Sequence, residues 1–377
     1  MALQVLGLFD NDIHPIGIDV GDHSVRLLQL RRKDRQLALQ AAAHIDLNTT
    51  NDQQTQIERV TNAIKQSLQA GSGQEFRGKK VILSLPLSAV HSKSLRLPQM
   101  PDSDLSQVLP WEAKDRFGFD TDDGRLAWFR AGEVRRGTEV KDELLLFALR
   151  GESLTAHLDA ISDLGFTAEA IDLAPCALHR AIQRIPSQTG SSGVTAILDV
   201  GCFGTQFIIT TGGGNNDQLV FYKHIDMGTH AINETVSQKL GVTLAEAAQM
   251  RARLGSGVSN SAEAASLEET IRDAMRHTLD DLSRELDMCI RYFMVTFRGS
   301  RPDLVTLTGH EAKCAWFAES LATTLGIRVE AAQPLRGVLD LRDIIRPDRS
   351  GEWTLATGLS LYPLKATADG AGGGVAA

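Results

Sequence analysis

Two stretches of the chain repeat one pattern: an apolar strand, Asp-Val-Gly, a short polar turn and a second apolar strand. The first is residues 16–30, IGIDVGDHSVRLLQL, and the second residues 196–210, AILDVGCFGTQFIIT. Their β-branched enrichment and rough alternation predict strands, and Gly21-Asp22-His23-Ser24 has turn composition, so each stretch reads as a hairpin. Gly21 lacks a Cβ, which lets the backbone turn successive N–H groups inward as a nest for phosphate oxygens, with Ser24 adding a hydroxyl. Asp19 ends the first strand, where a carboxylate can hold the water around a Mg²⁺ that bridges those phosphates. One such hairpin alone reads more readily as a solvated turn, because Asp and Gly are ordinary turn residues. The second copy changes the balance. Asp199 answers Asp19, Gly201 answers Gly21, and Thr205 falls one place beyond the counterpart of Ser24. Two such units in separate halves predict an internal duplication, with both hairpins facing a shared cleft and the two carboxylates flanking one metal–phosphate group.

A chain of 377 residues exceeds what one core fills, so two domains are expected. The formal net charge of -8 argues against a dedicated nucleic-acid binder, which carries a basic face. Cys176, Cys202, Cys289 and Cys314 have no CxxC spacing, which supports neither a zinc site nor a disulfide framework and fits a reduced cytosolic compartment. No window approaches eighteen consecutive apolar residues, the length of a membrane-spanning helix. The opening MALQVLGLF lacks a basic start, and no signal peptide is expected.

Taken in order, residues 37–46 continue the first sheet, and Ile57, Val60, Ile64 and Leu68 mark a helix over 55–70. Strands are expected at 80–86, 90–97, 126–134, 143–149 and 167–172, and helices at 103–117, 152–164 and 175–184. Pro110 implies a kink or a late start in the first of these helices. The Ser/Gly run 187–193 reads as a linker. Gly212-Gly213-Gly214-Asn215-Asn216 lies between two strand patterns with no helix behind it, so it reads as a hairpin tip and not a phosphate loop. Helices follow at 231–240, 244–254 and 261–293, then a buried strand 304–309, a helix 312–325 and a small-residue helix 353–361 with room for close backbone approach at Gly358. The Ala/Gly-rich tail 366–377 has the composition of a disordered segment.

This order of signals resembles the actin-like ATPase superfamily and, within it, the PilM family of type IV pilus assembly proteins, relatives of the division protein FtsA. The resemblance spans residues 14–365. Its more specific stretches are the first hairpin, VILSLPLSAVHSKSLRLPQMPDSDL, LGFTAEAIDLAPCALHRAI, LTGHEAKCAWFAESLATTLGIRVE and ATGLSLYPL. It implies an α/β, two-domain actin-like (ribonuclease H-like) fold around a nucleotide cleft. The expected domains are 1–190, carrying an inserted strand-helix-strand-strand module at about 37–149, and 194–365. ATP and Mg²⁺ are the implied cofactors. Position by position, Asp19, Gly21, Ser24 and Val25 would form the first phosphate turn, and Asp199, Gly201, Gly204 and Thr205 the second, with Asp19 and Asp199 serving the metal. Gly309, with His310 beside it, would lie under the nucleoside, and Glu246 and Arg251 would contact it. The implied partner is the cytoplasmic N-terminal segment of the inner-membrane protein PilN, coupling the membrane complex to the cytoplasmic motor side.

The chain departs from the family pattern where Gly309 is followed by His310 and Glu311, at Ala248, and at Ala174, where relatives carry a Glu that can orient the attacking water. Loss of that side chain predicts weak or absent hydrolysis. Two other functions remain open at this stage. One is a filament-forming actin homologue, which needs self-complementary surfaces. The other is a small-molecule kinase of the same fold, for which Asp172 and Asp226 are the only loosely suitable bases.

Overall fold

The computed structural model describes residues 13–47, 55–69, 75–121, 125–136, 138–185, 193–211, 218–254, 262–341, 345 and 347–363. The expected linker, apart from Gly193, the Gly-Gly-Gly-Asn-Asn tip and the Ala/Gly tail lie outside them. The chain forms two compact units, one of Met1–Ala181, Leu335–Ile345 and Leu355–Ala377, the other of Ile182–Pro334 and Arg346–Thr354.

In the first unit β1 (Ile13–Val20), β2 (Ser24–Lys33) and β3 (Gln36–Asp46) run as an antiparallel meander. After α1 (Gln56–Gln69) the chain returns as β4 (Lys80–Ser84), parallel to β1, and β8 (Thr167–Ile171) extends the sheet to the order β3-β2-β1-β4-β8. One face of the sheet presents Ile16, Ile18, Val20, Val25 and Leu27, which pack with Val60 and Ile64 of α1 and Ile161 of α3 (Gly151–Asp163). That packing is the alternation of the two strands meeting the helical spacing of α1.

Between β4 and α3 lies a separate three-stranded sheet, β5 (Val90–Pro98), β6 (Leu126–Arg136) and β7 (Glu139–Leu149), in the order β5-β7-β6. The helix α2 (Asp102–Phe117) covers it, continuous through Pro110, and buries Leu105, Leu109 and Ala113 against Leu95, Leu97, Leu144 and Leu146. The strand-helix-strand-strand order is therefore found over 90–149. The expected start at 37 differs because β3, α1 and β4 belong to the larger sheet, a pairing set by long-range hydrogen bonds that local pattern does not display.

The second unit repeats the first sheet's topology. Here β9 (Val194–Val200), β10 (Thr205–Thr211) and β11 (Gln218–Ile225) form the meander, and β12 (Leu304–Gly309) and β13 (Arg328–Ala331) add in parallel on the other side of β9. Its core is Leu198, Val200 and Phe207 with Ile232 and Val236 of α5 (Thr229–Leu240), Leu279, Leu282 and Leu286 of α7 (Ala262–Phe297), and Phe317 and Leu321 of α8 (Ala315–Leu325). The short α6 (Leu244–Leu254) is held at its start by a capping box, with Glu246 accepting from the Thr243 N–H and the Thr243 hydroxyl donating to it.

The chain then returns to the first unit as α9 (Thr354–Ser360), which packs against α4 (Ala174–Gln183). This return was not expected from a second domain running to 365. It matters for β1, because Pro15 cannot donate to a ladder and the β1/β2 register shifts between Ile13 and Ile16, while β2/β3 shifts between Gln29 and Leu30. The buried Ser360 hydroxyl serves both irregularities: it accepts from the Leu30 N–H at 3.0 Å and donates to the Pro15 carbonyl at 2.9 Å. Ser360→Ala orphans both groups and is expected to lower stability by about 2 kcal/mol in a urea titration, with no change of fold. A loss below a few tenths of that figure would remove Ser360 from this role.

Candidate nucleotide site

The first turn follows from the β1/β2 register, which sets Val20 opposite Val25 and Asp19 opposite Arg26. The Gly21 N–H closes the turn on the Ser24 carbonyl at 3.0 Å, and a Cβ on Gly21 would lie 2.9 Å from that same oxygen. Asp22 accepts from the Ser88 hydroxyl at 3.0 Å, which ties the turn to the segment after β4. Asp19 is buried, and its carboxylate stands 3.7 Å from a terminal nitrogen of Arg26, whose own side chain is nearly as buried. The Arg26 Nε is buried without a hydrogen-bond partner. Arg26 was missed in the sequence reading. The signal was available: a basic residue at an inward-facing strand position, two places after the turn. Val25 packs into the core, so only its backbone is available to a ligand.

In the second turn the Gly201 N–H reaches the Gly204 carbonyl at 2.9 Å. The first N–H groups of α5 brace this turn, Thr229 donating to the Gly201 carbonyl at 2.9 Å and His230 to the Cys202 carbonyl at 2.8 Å. A trans peptide points its C=O and the following N–H in opposite directions, so the N–H groups of Cys202 and Phe203 face away from the helix. Gly228 permits this approach, since a Cβ there would lie 2.4 Å from the Cys202 carbonyl. Thr205 is fully buried and donates its hydroxyl to the Met227 carbonyl at 2.6 Å, which commits its only proton to the protein. Asp199 accepts from the Thr308 hydroxyl at 2.7 Å on one oxygen and from the Gln206 amide at 3.2 Å on the other.

Gly309 sits at φ +79°, with its Cα so close to β9 that a Cβ would meet the Val200 carbonyl at 2.4 Å. No L side chain fits there. It starts the 3₁₀ turn His310–Lys313, which forms one wall of a shallow hollow open to solvent. The other walls are Thr229 and Asn233 of α5 and Ala248, Arg251 and Ala252 of α6. Arg251 and His310 therefore share this hollow, whereas Glu246 lies at the exposed start of α6 and outside it. Beneath the hollow, Arg251 donates to the Glu311 carboxylate at 2.6 Å and to the Asn233 side-chain oxygen at 2.5 Å, and Thr229 donates to Glu311 at 3.1 Å. Burial works against the Glu311 charge, but Arg251, His310 and the two hydrogen bonds outweigh it and hold the carboxyl below its ordinary range. Glu352, also buried, receives Lys313 at 3.2 Å and His310 at 3.3 Å.

The two candidate bases for a kinase are placed otherwise. Asp172 is buried and bonded by Arg180 at 2.8 Å; burial pushes its carboxyl up despite that partner. Asp226 is fully exposed and borders His224 at 3.5 Å. Ala174 opens α4 as a buried apolar residue. Among the described residues no three His, Cys, Asp or Glu cluster as a ready-made metal cage, and no helix is long and apolar enough to cross a membrane.

A family model described as type IV pilus assembly protein PilM matches residues 17–362. The fold is similar to a solved PilM-PilN type IV pilus biogenesis complex, with a TM-score of 0.72 at 19% identity over 92% of this chain and 98% of that one. It is also similar to the ethanolamine utilization protein EutJ of Carboxydothermus hydrogenoformans, with a TM-score of 0.55 at 11% identity over 93% of this chain and 90% of that one. The paired sheets are those of the actin-like fold.

Proposed function

Because the chain belongs to the PilM family of type IV pilus assembly proteins, we propose that it is a cytoplasmic nucleotide-binding scaffold of a type IV pilus or related secretion apparatus. It docks the cytoplasmic N-terminal peptide of a PilN-like inner-membrane protein and so lies at the membrane through that partner. The likeness to the PilM-PilN complex over nearly all of that chain supports the docking.

The residues fit a nucleoside polyphosphate. Two glycine turns and the Arg26 guanidinium, whose Nε has no hydrogen-bond partner, supply donors for phosphate, and the hollow in the second unit is lined by Asn233, Arg251 and His310. Within the first unit the turn and Arg26 are the groups suited to phosphate, and within the second the turn is suited to phosphate and the hollow between α5, α6 and the His310–Lys313 turn to a nucleoside. Asp19 and Asp199 are the carboxylates available to Mg²⁺, which when bound neutralises phosphate charge. Hydrolysis is weak because Ala174 offers no group to orient water. The kinase reading loses support, since Asp172 is held by Arg180 and Asp226 stands in solvent.

The observation that carries the nucleotide reading is the pair of braced turns on sheets of identical topology. Calorimetric titration of the full chain with Mg-ATP tests it. Micromolar binding, reduced at least tenfold in Asp19→Ala and in Arg26→Met, is the expected result, with a turnover that rises in Ala174→Glu. Absence of heat at millimolar nucleotide defeats the reading.

A further inference from the structure

The first glycine turn carries a charge of the wrong sign for its ligand. Counting from the paired aspartates, Asp22 stands where the second turn has Cys202, directly after the glycine in each. Any phosphate held by the Asp22 N–H lies within reach of the carboxylate on the same residue. At about 6 Å and an effective dielectric constant of about 40, that carboxylate would weaken phosphate binding about tenfold.

The carboxylate is drawn aside. The Ser88 hydroxyl donates to Asp22 Oδ1 at 3.0 Å, and the Gln56 side-chain amide reaches the same oxygen at 3.4 Å and the Gly21 carbonyl at 3.5 Å. One amide that touches both oxygens sets the carboxylate on the side of the Gly21 carbonyl. Across a trans peptide the Asp22 N–H points the opposite way. The two donors come from different elements, Gln56 from the first residue of α1 and Ser88 from the short 3₁₀ turn Leu87–Ala89 that follows β4. Both amide contacts lie at the long limit of a hydrogen bond, so Ser88 makes the stronger hold. Ser88 is exposed, and a hydrogen bond that water can replace adds little to folding.

Resting on the nucleotide reading above, we infer that Ser88 is a positioning residue of the first turn: its hydroxyl keeps the Asp22 carboxylate on the side away from the Asp22 N–H and so clears that N–H for phosphate. Released, the carboxylate turns about its own Cα–Cβ bond and opposes phosphate electrostatically. The second turn needs no such latch, because Cys202 takes the place of the aspartate and the first N–H groups of α5 brace the backbone.

Calorimetric titration of the full chain with Mg-ATP, on wild type and variants, tests this. Ser88→Ala should weaken binding about tenfold, with a melting temperature equal to that of the wild type. Ser88→Thr keeps the hydroxyl and should keep the wild-type affinity. Asp22→Asn removes the charge and should bind at least as tightly as wild type, and combining it with Ser88→Ala should recover the whole loss. A merely structural Ser88 would give additive effects in that pair, since its bond would matter whether or not residue 22 carried a charge. Wild-type affinity in Ser88→Ala, or a double variant as weak as Ser88→Ala, overturns the inference and leaves the nucleotide reading standing. A wild type that binds no nucleotide overturns both.

Discussion

Gly358→Ala is expected to cost about 3 kcal/mol or more and to yield a protein that melts early or aggregates. The sign is informative, because alanine is the better helix former by about 1 kcal/mol and would stabilise an unobstructed helix. Here the added Cβ would lie 1.8 Å from the Ala177 carbonyl oxygen and 2.5 Å from its carbon. Both obstacles are backbone, so no rotamer change relieves them. The opposite side of α9 is as tight: a Cβ on Gly17 of β1 would meet the Ala356 carbonyl at 2.4 Å. Arg180 fastens the same place by donating to the Gly358 carbonyl at 2.7 Å and to Asp172 at 2.8 Å. Differential scanning calorimetry reads the outcome, and an unchanged or raised melting temperature would show that α9 is not wedged between β1 and α4.

Glu311→Ala is the second large effect, expected at about 3–5 kcal/mol, since it leaves the Arg251 guanidinium buried with Asn233 as its remaining side-chain partner. Removing both charges should recover much of that loss, so Glu311→Ala combined with Arg251→Met is expected to be more stable than Glu311→Ala alone. A double-mutant cycle by urea unfolding measures the coupling, and additive losses would deny the pair. The pair also has a pH signature. The Glu311 carboxyl titrates below its ordinary value of 4.5. Its contribution is therefore complete above the unfolded-state pKa and is lost as pH falls through the lower folded value. Glu311→Gln should flatten the acid limb that lies below the unfolded-state carboxylate pKa, compared with wild type.

These two sites show different degrees of legibility. Gly358 was readable as a close-approach position because small residues surround it in ATGLSL, and a helix with no bulk on one face can only be there to touch backbone. Glu311 was noted as a departure after Gly309, yet nothing local indicated that it would be matched by Arg251, sixty positions earlier. The sequence reading gave Arg251 to a ligand; the structure gives its charge to Glu311 and leaves its side chain in the wall of the hollow. Thr205 and Arg26 are a similar exchange: the hydroxyl expected to serve phosphate is committed to Met227, while the guanidinium that was passed over stands beside Asp19.

Taken by itself, the chain's order of residues determined the two Asp-Val-Gly hairpins, the duplicated α/β halves, the helix of the inserted module and the glycines at 21, 201, 309 and 358. These depend on periodicity, turn chemistry and the absence of a Cβ, which act within a few residues. Only the tertiary structure decided that the last helix returns to the first strand, that Ser360 satisfies Pro15 and Leu30, that the inserted sheet begins at Val90, and which carboxylates and cations neutralise one another. Those outcomes rest on contacts between residues up to 345 positions apart, and a pairing at that distance leaves no trace in the local pattern of either partner.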